Sequence, residues 1–172
     1  DILFLREKGA YYSLNLNFGP IGDNLWVGAN YINTNEIKYG DFDGNGYLDA
    51  FTSQNSNLKV SYNLNNQFIN INSSNFSNNQ IFPGRFNNNN STDIFASNGS
   101  SFFVSYDGVS SWNLIANESY SYSDIIVEDF NQDNFSDIID KVNYKVLDIN
   151  TLYWSYLTTI DFPINDFSFG DF

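Results

Sequence analysis

The sequence predicts an all-β chain built from repeats, and two observations carry that expectation. A short frame recurs: Gly40-Asp41-Phe42 is echoed by Gly84-Arg85-Phe86, Glu128-Asp129-Phe130 and Gly170-Asp171-Phe172, at steps of 44, 44 and 42 residues. A fixed period of that size marks stacked supersecondary units, none of which can bury its apolar face alone. Ahead of each frame runs a period-2 pattern, with Ile37, Ile81, Ile125 or Phe167 three residues before and Tyr39, Pro83, Val127 or Phe169 one residue before. Alternation of that kind is what a strand produces, because successive side chains point to opposite faces. No helix is expected anywhere. The 172 residues divide into one repeat region of four modules of about 43 residues, 1–42, 43–86, 87–130 and 131–172.

Each module reads as strands in the same order. In the first, Asp1–Leu5 is a strand, a turn at Lys8-Gly9 follows, and Tyr12, Leu14, Leu16 and Phe18 alternate. Leu25–Val27 is a third strand, and Glu36–Phe42 begins the next unit. The second module gives Leu48–Ser53, then Leu58, Val60, Tyr62 and Leu64 in alternation, a weaker polar strand at Gln67–Asn72, and an Asn/Ser loop over Asn72–Gln80. The third gives Asp93–Ala96, then Phe102, Val104 and Tyr106, a turn at Asp107-Gly108, and Trp112–Ile115. The fourth supplies Ile138-Ile139, Tyr144 with Val146, Tyr153-Trp154 and Phe167–Phe172.

The loop after each frame carries the chemistry. In Asp41–Asp49, oxygen-bearing side chains fall at loop positions 1, 3, 5 and 9 (Asp41, Asp43, Asn45, Asp49), and Tyr47 at position 7 can offer its carbonyl. Gly44 and Gly46 let the chain curl tightly enough to aim these oxygens inward. A hard cation such as calcium takes six to eight oxygen ligands, and one loop of this pattern supplies most of them. Asp129, Asn131, Asp133, Phe135 (by its carbonyl) and Asp137 repeat the set, with Asn134 where Gly46 stood; Asn tolerates the left-handed conformation better than most residues. In the loop between, Arg85 replaces the first carboxylate while Asn87, Asn89 and Asp93 hold positions 3, 5 and 9. A guanidinium there is expected to stand where the cation would sit, leaving that loop free of metal.

This repeat resembles the FG-GAP/VCBS type of β-propeller blade, found in integrin α-chain propellers and many secreted bacterial proteins. The resemblance spans the chain, and its most specific piece is 41–49. It implies four-stranded antiparallel blades arranged radially, with the loops on one rim holding structural Ca2+. The chain starts at loop position 9 and ends at position 2. Two arrangements follow: the last strand closes a four-bladed ring, or the chain is part of a larger propeller.

Composition narrows function. A net charge of −13, from 20 acidic and 7 basic residues, disfavours nucleic acid and anionic membrane surfaces. The absence of His and Cys removes zinc, copper and haem sites built on nitrogen or sulfur, and Ser–His and Cys–His nucleophile pairs. No apolar run approaches the roughly 20 residues that span a bilayer. Asn-x-Ser/Thr matches at Asn72, Asn75, Asn89, Asn90, Asn98, Asn117 and Asn134 read as a consequence of abundant asparagine. Modest calcium sites saturate outside cells and usually not in cytosol, which points to an extracellular or cell-surface location.

Trp26, Trp112 and Trp154 lie 14, 16 and 16 residues before the next frame, so they occupy comparable strands. Aromatic faces suit sugar rings, which makes these residues candidates for ligand binding; their repetition fits module-to-module packing better. The leading expectation is a non-catalytic, calcium-stabilised adhesion or recognition module whose partner is a protein or glycan at the cell surface. The alternatives are a lectin-like propeller and an accessory propeller of a polysaccharide-degrading enzyme, for which a carboxylate pair would suffice.

Overall fold

The computed structural model describes residues 2–6, 9–14, 25–28, 37–64 and 67–157, the first three segments by backbone alone. They form four separate antiparallel sheets whose strand order follows the chain. The first sheet holds β1 (Ile2–Arg6), β2 (Gly9–Leu14) and β3 (Leu25–Gly28). The second holds β4 (Lys38–Gly40), β5 (Asp49–Gln54), β6 (Asn57–Ser61) and β7 (Ile69–Ser73). β8 (Ile81–Gly84), β9 (Asp93–Ser97), β10 (Phe102–Ser105) and β11 (Asn113–Ala116) make the third. The fourth is β12 (Ile125–Glu128), β13 (Asp137–Asp140), β14 (Lys145–Asp148) and β15 (Tyr153–Tyr156). The only helices among the described residues are single 3-10 turns, and none is long and apolar enough to cross a membrane.

The repeat is preserved in register. Gly40 pairs with Asp49, Gly84 with Asp93, and Glu128 with Asp137. Each nine-residue loop therefore joins the first two strands of its sheet from the same rung. β8 lies beside both β4 and β12, so the first strands of successive sheets adjoin and bring the three loops together.

The second strands are almost continuously buried, and packing on both faces explains it. All five residues of β9 are buried, and their side chains alternate between two cores. Ile94 and Ala96 join Phe42, Phe51, Leu58 and Val60 towards the second sheet, whereas Phe95 joins Phe102, Val104, Ile125, Ile138 and Leu147 towards the fourth sheet. A strand covered on both faces has no solvent side to mark with polar residues. Each such large side chain contributes roughly 1.5–3 kcal/mol by leaving water.

Two expected strands stop early. Tyr62 and Leu64 belong to a 3-10 turn instead of β6, and Tyr106 likewise leaves β10 for the turn Tyr106–Gly108. One cause serves both: Asn63 and Asp107 are left-handed, at φ 50° and 54°, and their N–H groups donate at 2.8 Å to Asp49 Oδ1 and Asp93 Oδ1. That bond pulls the chain out of extended geometry. Tyr144 also sits in a left-handed turn (φ 53°), just before β14. Lys8, Leu16, Phe18, Glu36, Asp1 and the last frame at 170–172 lie outside the described residues.

Candidate metal centre

Loops 41–49 and 129–137 share one backbone path, almost bond for bond. Positions 4 and 6 are left-handed in both: Gly44 (71°) and Gly46 (85°), Gln132 (62°) and Asn134 (70°). This curl folds the chain around the first carboxylate. Asn45 and Gly46 donate their N–H groups to Asp41 Oδ1 and Oδ2 at 3.0 and 2.7 Å. Asp133 and Asn134 do the same to Asp129 at 3.1 and 2.9 Å. At positions 3 and 5, Asp43 Oδ1 accepts from Asn45 N–H and Asn45 Oδ1 from Tyr47 N–H. Asn131 Oδ1 and Asp133 Oδ1 repeat those two bonds with Asp133 and Phe135.

The ninth position is a buried carboxylate in all three loops, since Asp49, Asp93 and Asp137 are each 0 % exposed. Oδ2 accepts the N–H of Phe42, Phe86 or Phe130, at 2.6, 2.7 and 3.2 Å. Burial raises the pKa of all three, against the lowering effect of these backbone bonds. For Asp137 it is pushed up to about 6, and there Oδ1 is buried without any hydrogen-bond partner.

Charge is most concentrated in the first loop. Asp41, Asp43 and Asp49 bring carboxylate oxygens within 4.8 Å of one another, the single such acidic trio among the described residues. Mutual repulsion makes this arrangement costly without a countercharge. Its donors are all oxygens, which suits a hard cation with flexible coordination and not a soft or nitrogen-seeking metal. Asp129, Asp133 and Asp137 are not gathered as tightly, although Asp137 Oδ1 stands free to meet a cation. The exposed Tyr47 and half-buried Phe135 occupy position 7, where only their backbone carbonyls would serve.

Loop 85–93 takes a different path. Asn88 and Asn90 are not left-handed, and with no carboxylate at position 1 the two bonds to its oxygens are gone. An amide proton enters the ring instead, from Asn87 Nδ2 to Asp93 Oδ1 at 3.2 Å, while Asn89 Nδ2 reaches out of the loop to Asp107 Oδ1 at 2.6 Å. The Arg85 guanidinium does not stand in for the cation. It lies over the ring of Phe135 in the following loop, 6.0 Å from the centroid.

Two residues escaped the sequence reading. Asn45 Nδ2 reaches Asn63 Oδ1 at 3.4 Å, and Asn150 Nδ2 reaches Asp133 Oδ2 at 2.9 Å, so each loop is closed from outside by an asparagine of its own module. The available signal was their distance, 14 and 13 residues beyond Asp49 and Asp137.

Trp112 and Trp154 link neighbouring sheets. Trp112 packs edge-on against Phe76 at 4.7 Å and donates from Nε1 to the Ser73 carbonyl at 3.2 Å. Trp154 lies 5.1 Å from Tyr120 and donates from Nε1 to Glu118 at 3.1 Å. Trp26 is on β3, and its side chain is outside the described set. Comparison of the chain with protein-family models, with curated proteins and with solved structures finds no match.

Proposed function

We propose that the four sheets are blades of a β-propeller, and that the chain is a non-catalytic, calcium-stabilised recognition or adhesion module working at the cell surface or in the extracellular space. The observation that carries this reading is the trio Asp41, Asp43 and Asp49, held within 4.8 Å in a loop whose N–H groups already orient the carboxylates. Loop 129–137 repeats that wiring and forms the second site. The bound ion is structural: it ties two strands of one sheet and cancels charge that would otherwise push the loop open. The partner is a protein or glycan, and the radial stacking of sheets by their buried faces supports a larger array as readily as a closed ring.

Calorimetric titration of the whole chain with calcium chloride is the test. Two ions per chain, with a matching rise in melting temperature, are expected. A titration without heat or stabilisation overturns the reading.

A further inference from the structure

Where β4, β8 and β12 run into the loops there is a cleft of about 310 Å³, lined by Tyr39, Arg85, Ser91, Thr92, Glu128 and Ser136 among others. It adjoins the loop that lacks a metal ligand set. Two of its residues carry buried polar atoms with no hydrogen-bond partner, Tyr39 Oη and Arg85 Nε. No carboxylate among the described residues is in ion-pair range of Arg85, in a chain with 20 acidic and only 7 basic side chains. An arginine with no carboxylate beside it in so acidic a chain is a ready anion receptor, and a ligand would meet the rest of its guanidinium because Nε is closed to solvent.

We propose that this cleft binds a sugar acid by its carboxylate. Phe135 supports one face of the Arg85 guanidinium, which leaves the planar fork to receive two coplanar oxygens. Around it the wall is rich in donors. Thr92 Oγ1 and Ser136 Oγ each accept a backbone N–H, from Asp41 and Arg85, so their own hydroxyl protons are left to donate. The single positive charge sets the ligand's charge at one, because Glu128 on the margin and the net −13 repel a dianion. The volume is that of a small-molecule pocket at the lower end of the usual range, enough for one pyranose ring. Hydroxyl and amide groups on Asn90 and Ser91 match ring hydroxyls better than an aliphatic chain.

The inference rests on the recognition reading and gives it a ligand class; it does not draw on calcium. The experiment is a titration of the full chain with sodium glucuronate, with glucose and with capped glutamate, in calcium and in calcium-free buffer. Glucuronate should bind at least tenfold more tightly than either comparison ligand. Arg85→Gln should weaken it at least tenfold while leaving the circular dichroism unchanged, and Glu128→Gln, on an exposed side chain, should tighten it several-fold. Equal binding of glucuronate and glucose overturns the carboxylate assignment, and equal binding of capped glutamate overturns the sugar. No glucuronate binding beside a normal calcium titration sinks this inference and leaves the metal reading standing. Should Arg85→Gln fail to fold, an unchanged affinity in Glu128→Gln decides against it.

Discussion

The N–H of Asp41 donates to Thr92 Oγ1 at 2.8 Å, and the Thr92 N–H returns to the Asp41 carbonyl at 2.6 Å, across 51 residues of chain. The same reciprocal pair joins Arg85 and Ser136, at 2.9 and 2.7 Å. Position 1 of one loop is thus clasped to position 8 of the next loop. The clasp also explains Gly40, where a Cβ would come within 2.7 Å of the Thr92 side chain.

Thr92→Val keeps the shape and the N–H but removes the acceptor, leaving the Asp41 donor unsatisfied in a part-buried site. A loss of about 1–3 kcal/mol is expected. Thr92→Ser should cost under about 1 kcal/mol, since the oxygen stays. Urea denaturation separates them; equal stability of the Val and Ser variants would refute the clasp.

The tryptophans should prove to be packing residues. Trp112→Phe retains the ring beside Phe76 and forfeits the bond to Ser73, at a cost of about 1 kcal/mol. Trp112→Ala should cost about 3 kcal/mol, the lower range for a large aromatic because this one is only partly buried. Normal thermal stability in Trp112→Ala, together with lost glycan binding, would make it a stacking platform instead.

Acidity should act in opposite senses with and without calcium. Burial raises the pKa of Asp137 from 3.8 to about 6, and that of Asp49 and Asp93 in the same direction. A carboxyl with a raised folded pKa holds its proton more tightly when folded, so its contribution is complete below about 3.8 and is lost as pH climbs to about 6. In calcium-free buffer the melting temperature should therefore fall across that window. With calcium it should rise, because the ion needs the deprotonated oxygens. Asp137→Asn should flatten the calcium-free slope. A calcium-free profile that rises with pH contradicts this account.

Strands and turns were legible because their code is local. β9 was expected at Asp93–Ala96 and runs Asp93–Ser97, and the left-handed Asn134 follows from its place in the loop. The ends of β6 and β10 were not legible, since alternation continues through Tyr62, Leu64 and Tyr106 while a carboxylate 14 residues before Asn63 or Asp107 turns the chain. The clasp was hidden for a different reason. Its hydroxyl is Thr in one loop, Ser in another and Leu48 in the first, so no motif marks it. Arg85 was placed in the ring by analogy with a cation, but the inward amide of Asn87 already fills that role, and the ring of Phe135 offers the guanidinium a better face.

Metal uptake should divide between the loops as their wiring does. Asp43 and Asp133 are exposed, so replacing either by Ala leaves the cores intact and removes one oxygen donor from its ring. Each change should abolish one ion in a calorimetric titration. Asn87→Ala should abolish none, because loop 85–93 lacks both the first carboxylate and the left-handed turns that orient it. If each intact site binds with Kd about a hundredfold below the calcium present, linkage gives roughly 2.7 kcal/mol of stabilisation per site. Chelation should then lower the melting temperature of the parent chain by several degrees and that of the double variant hardly at all. Magnesium should rescue poorly, since it demands a tighter six-coordinate shell and gives up its water reluctantly. An ion lost on Asn87→Ala, or two retained in Asp43→Ala, would show that the ligand sets are drawn from the wrong loops.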